Sequence, residues 1–142
     1  MGDIPFDKII LGVLILVVLG FIVLALQTSV NTTLSATLTK NPISLGKEES
    51  SVLHVVLTNP SSNPQSNVKV TMQTLGTTQL GVYPSQQTIP TLGPQETREL
   101  DFLIVPIDAK SNPFIPGNYR LDVEASVEGK KYPVSVFVTV TK

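Results

Sequence analysis

The chain has 142 residues, no cysteine, and a net charge of −1 from 10 Lys/Arg against 11 Asp/Glu. That balance, without a basic cluster, argues against nucleic acid as a partner, because phosphate neutralisation needs several grouped cations. The lack of thiols removes disulfide frameworks and thiolate metal sites, so a folded domain here must rest on its apolar core.

The first element is Ile9–Leu26, eighteen residues without a polar side chain, fifteen of them Leu, Ile, Val or Phe. As a helix it would cover about 27 Å, close to the hydrocarbon core of a bilayer. At −0.3 to −0.6 kcal/mol per residue its summed insertion preference reaches about −5 to −9 kcal/mol. A cleaved secretory signal would carry a positive start and a small-x-small site. Here Asp3 and Asp7 offset Lys8, and the run ends in Ala25-Leu26-Gln27-Thr28. The pattern predicts a retained single-pass anchor over residues 1–28, with Ile9, Leu14, Val18, Phe21 and Leu26 in contact with membrane lipid. Gly12 and Gly20 do not form a G-x-x-x-G face, so helix pairing has no specific signal.

Lys8 abuts the apolar run, whereas the next cation beyond it is Lys40. The positive-inside rule then places the amino terminus in the cytoplasm and the remainder outside. The uncharged, hydroxyl-rich exit Gln27–Thr33 agrees, and Asn31-Thr32-Thr33 is an acceptor pattern for N-glycosylation at Asn31.

From Thr33 onward the period is two. Thr33–Thr39, Val52–Thr58, Val68–Gln73, Leu100–Ile104, Arg120–Ala125 and Val134–Val140 alternate apolar and polar positions, and a seventh strand is expected near Gln79–Tyr83. Asn41-Pro42, Asn59-Pro60, Asn63-Pro64, Gly93-Pro94, Asn112-Pro113 and Pro116-Gly117 punctuate these runs as chain reversals. Glu128-Gly129-Lys130-Lys131 is short enough for a hairpin between the last two strands. No helical stretch is expected after residue 27. The expected fold is all-β: residues 29–142 form an immunoglobulin-like β-sandwich of about seven strands, preceded by one N-terminal transmembrane α-helix. Tyr119, at the start of the penultimate strand, occupies the place of a corner tyrosine whose hydroxyl bonds back to the main chain.

Chemistry is sparse along this domain. The one histidine, His54, should point outward, with no carboxylate within several residues to orient it, and no nucleophile elbow is present. Arg120, Asp122 and Glu124 share one strand face and read as a solvated ion-pair row. Asp108–Asn112 offers oxygen donors without the spacing of a calcium loop, and Lys110 sits among them. No catalytic residue, cofactor or metal is expected. In Val134–Val140 the four valines take one face, leaving Phe137 outward beside Ser135 and Thr139, the one aromatic that phase puts on a wet strand face. Aromatics are enriched at protein contacts, so these three residues are the candidate partner surface.

Thr91-Leu92-Gly93-Pro94-Gln95-Glu96-Thr97 with Leu100, Phe102 and Ile104, and later Pro116-Gly-Asn-Tyr-Arg-Leu-Asp-Val123, resemble CARDB and S-layer-associated Ig-like modules of archaeal and bacterial envelope proteins. Asn41–Glu48 and Val55–Pro60 fit the same pattern, and the resemblance spans roughly residues 38–140. It implies a non-enzymatic surface module and carries no functional residues across. An anchor followed by one sandwich is also similar in layout to archaeal archaellum stator proteins and pilin-type subunits. The expected role is a structural or interaction component of a cell envelope or surface appendage, with protein partners that include further copies of itself. Two alternatives stand beside it: a filament subunit with the apolar helix in the fibre core, and an accessory subunit of a larger membrane transport, secretion or respiratory complex.

Overall fold

In the computed structural model, residues 32–47, 49–107 and 113–142 are described. The expected anchor with Ile9, Leu14, Val18, Phe21 and Leu26, the acceptor Asn31 and the loop Asp108–Asn112 lie outside them.

Among the described residues nine strands follow one another: β1 (Thr33–Leu38), β2 (Ile43–Ser44), β3 (Ser51–Thr58), β4 (Gln65–Leu75), β5 (Leu80–Tyr83), β6 (Gln86–Leu92), β7 (Thr97–Pro106), β8 (Gly117–Val127) and β9 (Lys130–Thr141). A single 3-10 turn at Leu45–Lys47 separates β2 from β3. The strands form a four-stranded sheet, β1-β3-β7-β5, and a five-stranded sheet, β2-β9-β8-β4-β6. All pairings are antiparallel except β2–β9, where Ile43 lies beside Val140 and Ser44 beside Thr141.

Alternation decides which faces meet. In β3, Leu53, Val55 and Leu57 are fully buried while Val52, His54, Val56 and Thr58 lie on the opposite, partly exposed face. In β8, Leu121, Val123, Ala125 and Val127 turn inward in the same way. Phe102 and Ile104 from β7 and Val68, Val70 and Met72 from β4 complete one core between the two sheets, with Phe102 its largest fully buried side chain. Each such side chain contributes about 1.5–3 kcal/mol by leaving water, which holds the domain without disulfides. Val138 and Val140 are buried, and Val134 and Val136 pack against the same core at its edge.

Two strands exceed the sequence expectation. β6 carries Pro90, and its alternation is poor. The strand survives because it is an edge: it pairs β4 alone, and the Asn67–Pro90 position is left out of the ladder. β2 has two residues, below the length at which periodicity can be read. The β8–β9 turn matches its expected chemistry. Glu128 (φ 50°) and Gly129 (φ 82°) both take positive φ, and Val127 pairs with Lys130 across a two-residue loop.

Candidate interaction surface

The outer face of the five-stranded sheet is built by the polar half of the alternation in β4, β8 and β9. Ladder register arranges it in rows that run across the strands. Leu75, Arg120 and Phe137 form one row; Gln73, Asp122 and Ser135 the next; Thr71, Glu124 and Pro133 the third. The first row exposes two apolar side chains on either side of a guanidinium, Phe137 at 61% and Leu75 at 44%.

Polar groups on this face are tied to one another. Arg120 Nε donates to Asp122 Oδ1 at 2.6 Å, and Ser135 Oγ donates to the same oxygen at 2.7 Å. Lys131 Nζ lies 3.0 Å from Glu124 Oε1. The Ser135 hydroxyl, then Arg120, hold the Asp122 carboxyl below its ordinary pKa by bonding its charged form. Thr139 Oγ1 donates to Asn118 Oδ1 at 2.7 Å. Between these groups the sheet surface dips into a hollow of about 260 Å³ whose lining includes Thr71, Glu124, Lys131 and Pro133. The expected ion-pair row Arg120–Asp122–Glu124 thus exists, with Glu124 paired across to Lys131 instead of along its own strand.

Phe137 and Thr139 are also fixed at the strand edge. Asn41 Nδ2 donates to the Phe137 carbonyl oxygen at 3.0 Å, and the Thr139 N–H donates to Asn41 Oδ1 at 2.8 Å. A side-chain amide here takes the place of a neighbouring strand, and β2 takes over at Val140. The main chain of β9 around Phe137 is therefore already satisfied. A contact there uses the sheet face, not strand addition.

The outer face of the four-stranded sheet carries a different row: Val52, Leu103 and Tyr83 align across β3, β7 and β5. Leu103 is 40% and Tyr83 56% exposed. Phe137 is thus joined by a second outward aromatic, contrary to the sequence expectation. The Tyr83 ring lies across Gly81, where an added Cβ would come within 2.7 Å of Cε2, so glycine makes room for the ring.

His54 corrects a second expectation. It faces outward, but it has a carboxylate: Asp101, its direct partner in the β3–β7 ladder, places Oδ1 2.5 Å from His54 Nδ1. Thr37 completes the row from β1. Acid, imidazole and hydroxyl therefore align in one ladder row across β7, β3 and the edge strand β1.

Tyr119 donates its hydroxyl to the Ile115 carbonyl oxygen and packs edge-on against Phe114, with ring centroids 5.3 Å apart. Asn59 carries a site that sequence reading took for a simple turn. Fully buried, its Nδ2 reaches the carbonyl oxygens of Asn63, Leu92 and Gly93 at 2.8, 3.2 and 2.9 Å, and its Oδ1 accepts from the Ser61 N–H at 3.0 Å.

No family model and no curated protein sequence matches the chain. Among solved structures it is similar to the CARDB domain of the PF1109 protein from Pyrococcus furiosus, with TM-score 0.58 and 19% identity over 78% of this chain and 88% of that one. That domain was solved in complex with di-metal ions; among the described residues here, no three His, Asp or Glu side chains gather where they could hold a metal. A FixG-related protein from Vibrio parahaemolyticus gives TM-score 0.55 and 13% identity over 78% of this chain and 97% of that one. Red sea bream transglutaminase gives TM-score 0.55 and 18% identity, covering 77% of this chain and 15% of that one. These likenesses show a shared two-sheet, Ig-type fold.

Proposed function

We propose that the chain is a single-pass membrane protein that displays its Ig-like domain outside the cytoplasm, as a non-enzymatic structural or interaction component of a cell envelope or surface appendage. The observation that carries this reading is the eighteen-residue apolar run Ile9–Leu26 directly ahead of an all-β domain. Support for an interaction role comes from the exposed Phe137–Arg120–Leu75 row on a sheet face where Asp122 is bonded to Arg120 and Ser135, and Glu124 is paired with Lys131. The CARDB-like reading of the motifs Thr91–Thr97 and Pro116–Val123 agrees with it.

The test is fractionation and protease protection of the native protein. The chain should resist alkaline carbonate extraction, and sealed right-side-out cells should lose the β-domain to added protease. Release by carbonate, or a mature mass beginning beyond Gln27, rejects the anchor. A domain digested only after the membrane is opened rejects the orientation.

A further inference from the structure

We propose that the outer face of the five-stranded sheet pairs with the same face of a second copy of the chain, about a twofold axis running along the Gln73–Asp122–Ser135 row. This rests on the interaction reading above and names its partner.

The register makes the face complementary to itself. A twofold axis along the middle row leaves each strand over its own copy, running the opposite way, and lays the row on one side over the row on the other. Arg120 then faces the partner's Glu124, and Glu124 faces the partner's Arg120. In the same operation the projecting Phe137 ring comes over the partner's Pro133, one of the residues lining the hollow of about 260 Å³. Ring and proline are thus exchanged reciprocally, and so are cation and anion. Leu75 falls over the partner's Thr71. Asp122 meets the partner's Asp122 at the axis, each carboxylate already bonded within its own chain by Arg120 and Ser135. An axis along the Leu75–Arg120–Phe137 row would set Arg120 against Arg120 and lose the exchange with Glu124.

Size decides the strength. Strands about 4.8 Å apart and outward residues about 6.8 Å apart give this face roughly 500 Å² per partner, below the usual size of a stable interface. The pairing is therefore weak in dilute solution and depends on confinement of both copies to one membrane, which raises their effective concentration.

The natural chain lacks cysteine, so single introduced thiols report proximity cleanly. Gln73 lies on the axis, and Gln73→Cys in the full-length protein in its native membrane should form a disulfide dimer under mild oxidation. Glu99→Cys, on the outer face of the opposite sheet, should not. Adding Arg120→Glu or Glu124→Arg to Gln73→Cys should each cut dimer yield about tenfold or more, since like charges then meet twice. Mixing those two double variants should restore it, because every facing pair is again opposite in sign. All three positions are surface ones, and unchanged melting of each variant confirms that folding is intact. Equal cross-linking at Gln73→Cys and Glu99→Cys, or failure of the mixture to restore it, overturns the proposal. So does absence of a Gln73→Cys dimer in a protein that carbonate shows to be anchored. Cross-linking in a protein that carbonate releases would instead reject the anchor and leave the face standing.

Discussion

Tyr119 reaches back four residues and donates its hydroxyl to the Ile115 carbonyl oxygen, pinning the entry into β8 to the chain before it. The ring also meets Phe114 at an interplanar angle of 76°, an edge-to-face contact that does not use the hydroxyl. Tyr119→Phe keeps the ring pair and removes the bond. It should lower unfolding free energy by about 0.5–1.5 kcal/mol in urea titration. Tyr119→Ala, which also removes the ring pair, should cost clearly more. Equal losses would mean that the ring pair contributes nothing, and no loss in Tyr119→Phe would mean that the hydroxyl bond contributes nothing.

Asn59 is a more severe test of the fold. Its amide answers carbonyl groups at Asn63, Leu92 and Gly93 while fully buried, so Asn59→Ala removes all three bonds and leaves the buried one, at Leu92, without its donor. The expected loss is about 1–3 kcal/mol. Asn59→Asp keeps the shape but replaces the donor with acceptor oxygens aimed at carbonyls, and should be worse than alanine. If aspartate is tolerated better than alanine in thermal melts, the amide is not the organising group.

These two residues mark how far the sequence could be read. Tyr119 was legible because it sits at a fixed place in a strongly alternating strand. The β8–β9 hairpin was legible because Glu128-Gly129 is a local turn signal between two long period-two runs. Asn59 and Asn41 were legible only as turn residues ahead of proline. What their amides do depends on Leu92–Gly93 and on Phe137–Thr139, which lie 33 or more residues away. His54 fails for the same reason: its carboxylate, Asp101, is 47 residues distant and arrives through ladder register. β6 was hidden by Pro90, and its existence follows from an edge position that no local pattern reveals. The outward phase of Phe137 could be read from four valines, but its row with Arg120 and Leu75 required the pairing of three strands.

Acid should weaken the domain through three carboxylates. Glu49 is held below its ordinary pKa first by Lys40, at 2.5 Å, and then by the Ser44 N–H. Glu96 is held down first by the Gly93 N–H, at 2.6 Å, and then by Arg98. Asp122 is lowered by Ser135 and then Arg120. Each binds a proton more weakly folded than unfolded, so as pH falls the unfolded chain takes up protons first. Their stabilisation is complete above the unfolded carboxylate range and declines as pH falls through the lowered folded values. Glu96→Gln should flatten that decline in melts across the acidic range. An unchanged acid slope would show that the Gly93–Glu96 turn does not contribute.

The His54–Asp101 pair should matter little to folding despite its 2.5 Å contact, because both side chains are well exposed, at 45% and 64%. Exposed side-chain pairs of this kind are worth about 0–1 kcal/mol. His54→Ala should therefore shift stability by less than about 1 kcal/mol. A larger loss would show that His54 packs against the sheet more than it pairs.

Phe102 and Phe137 are the same residue type with opposite surroundings, and comparing them separates folding from contact. Phe102 is fully buried between the sheets, so Phe102→Ala removes a core ring and leaves a cavity. The expected cost is about 3–5 kcal/mol. Phe137 is 61% exposed and its strand edge is held by the backbone bonds to Asn41, which a side-chain change leaves in place. Phe137→Ser should leave the melting temperature almost unchanged while reducing self-association or partner capture at the membrane. Matched melts and membrane cross-linking of the two variants decide the assignment. Should Phe137→Ser unfold the domain as Phe102→Ala does, the ring belongs to the fold. Should it change neither melting nor association, the exposed ring is not a contact.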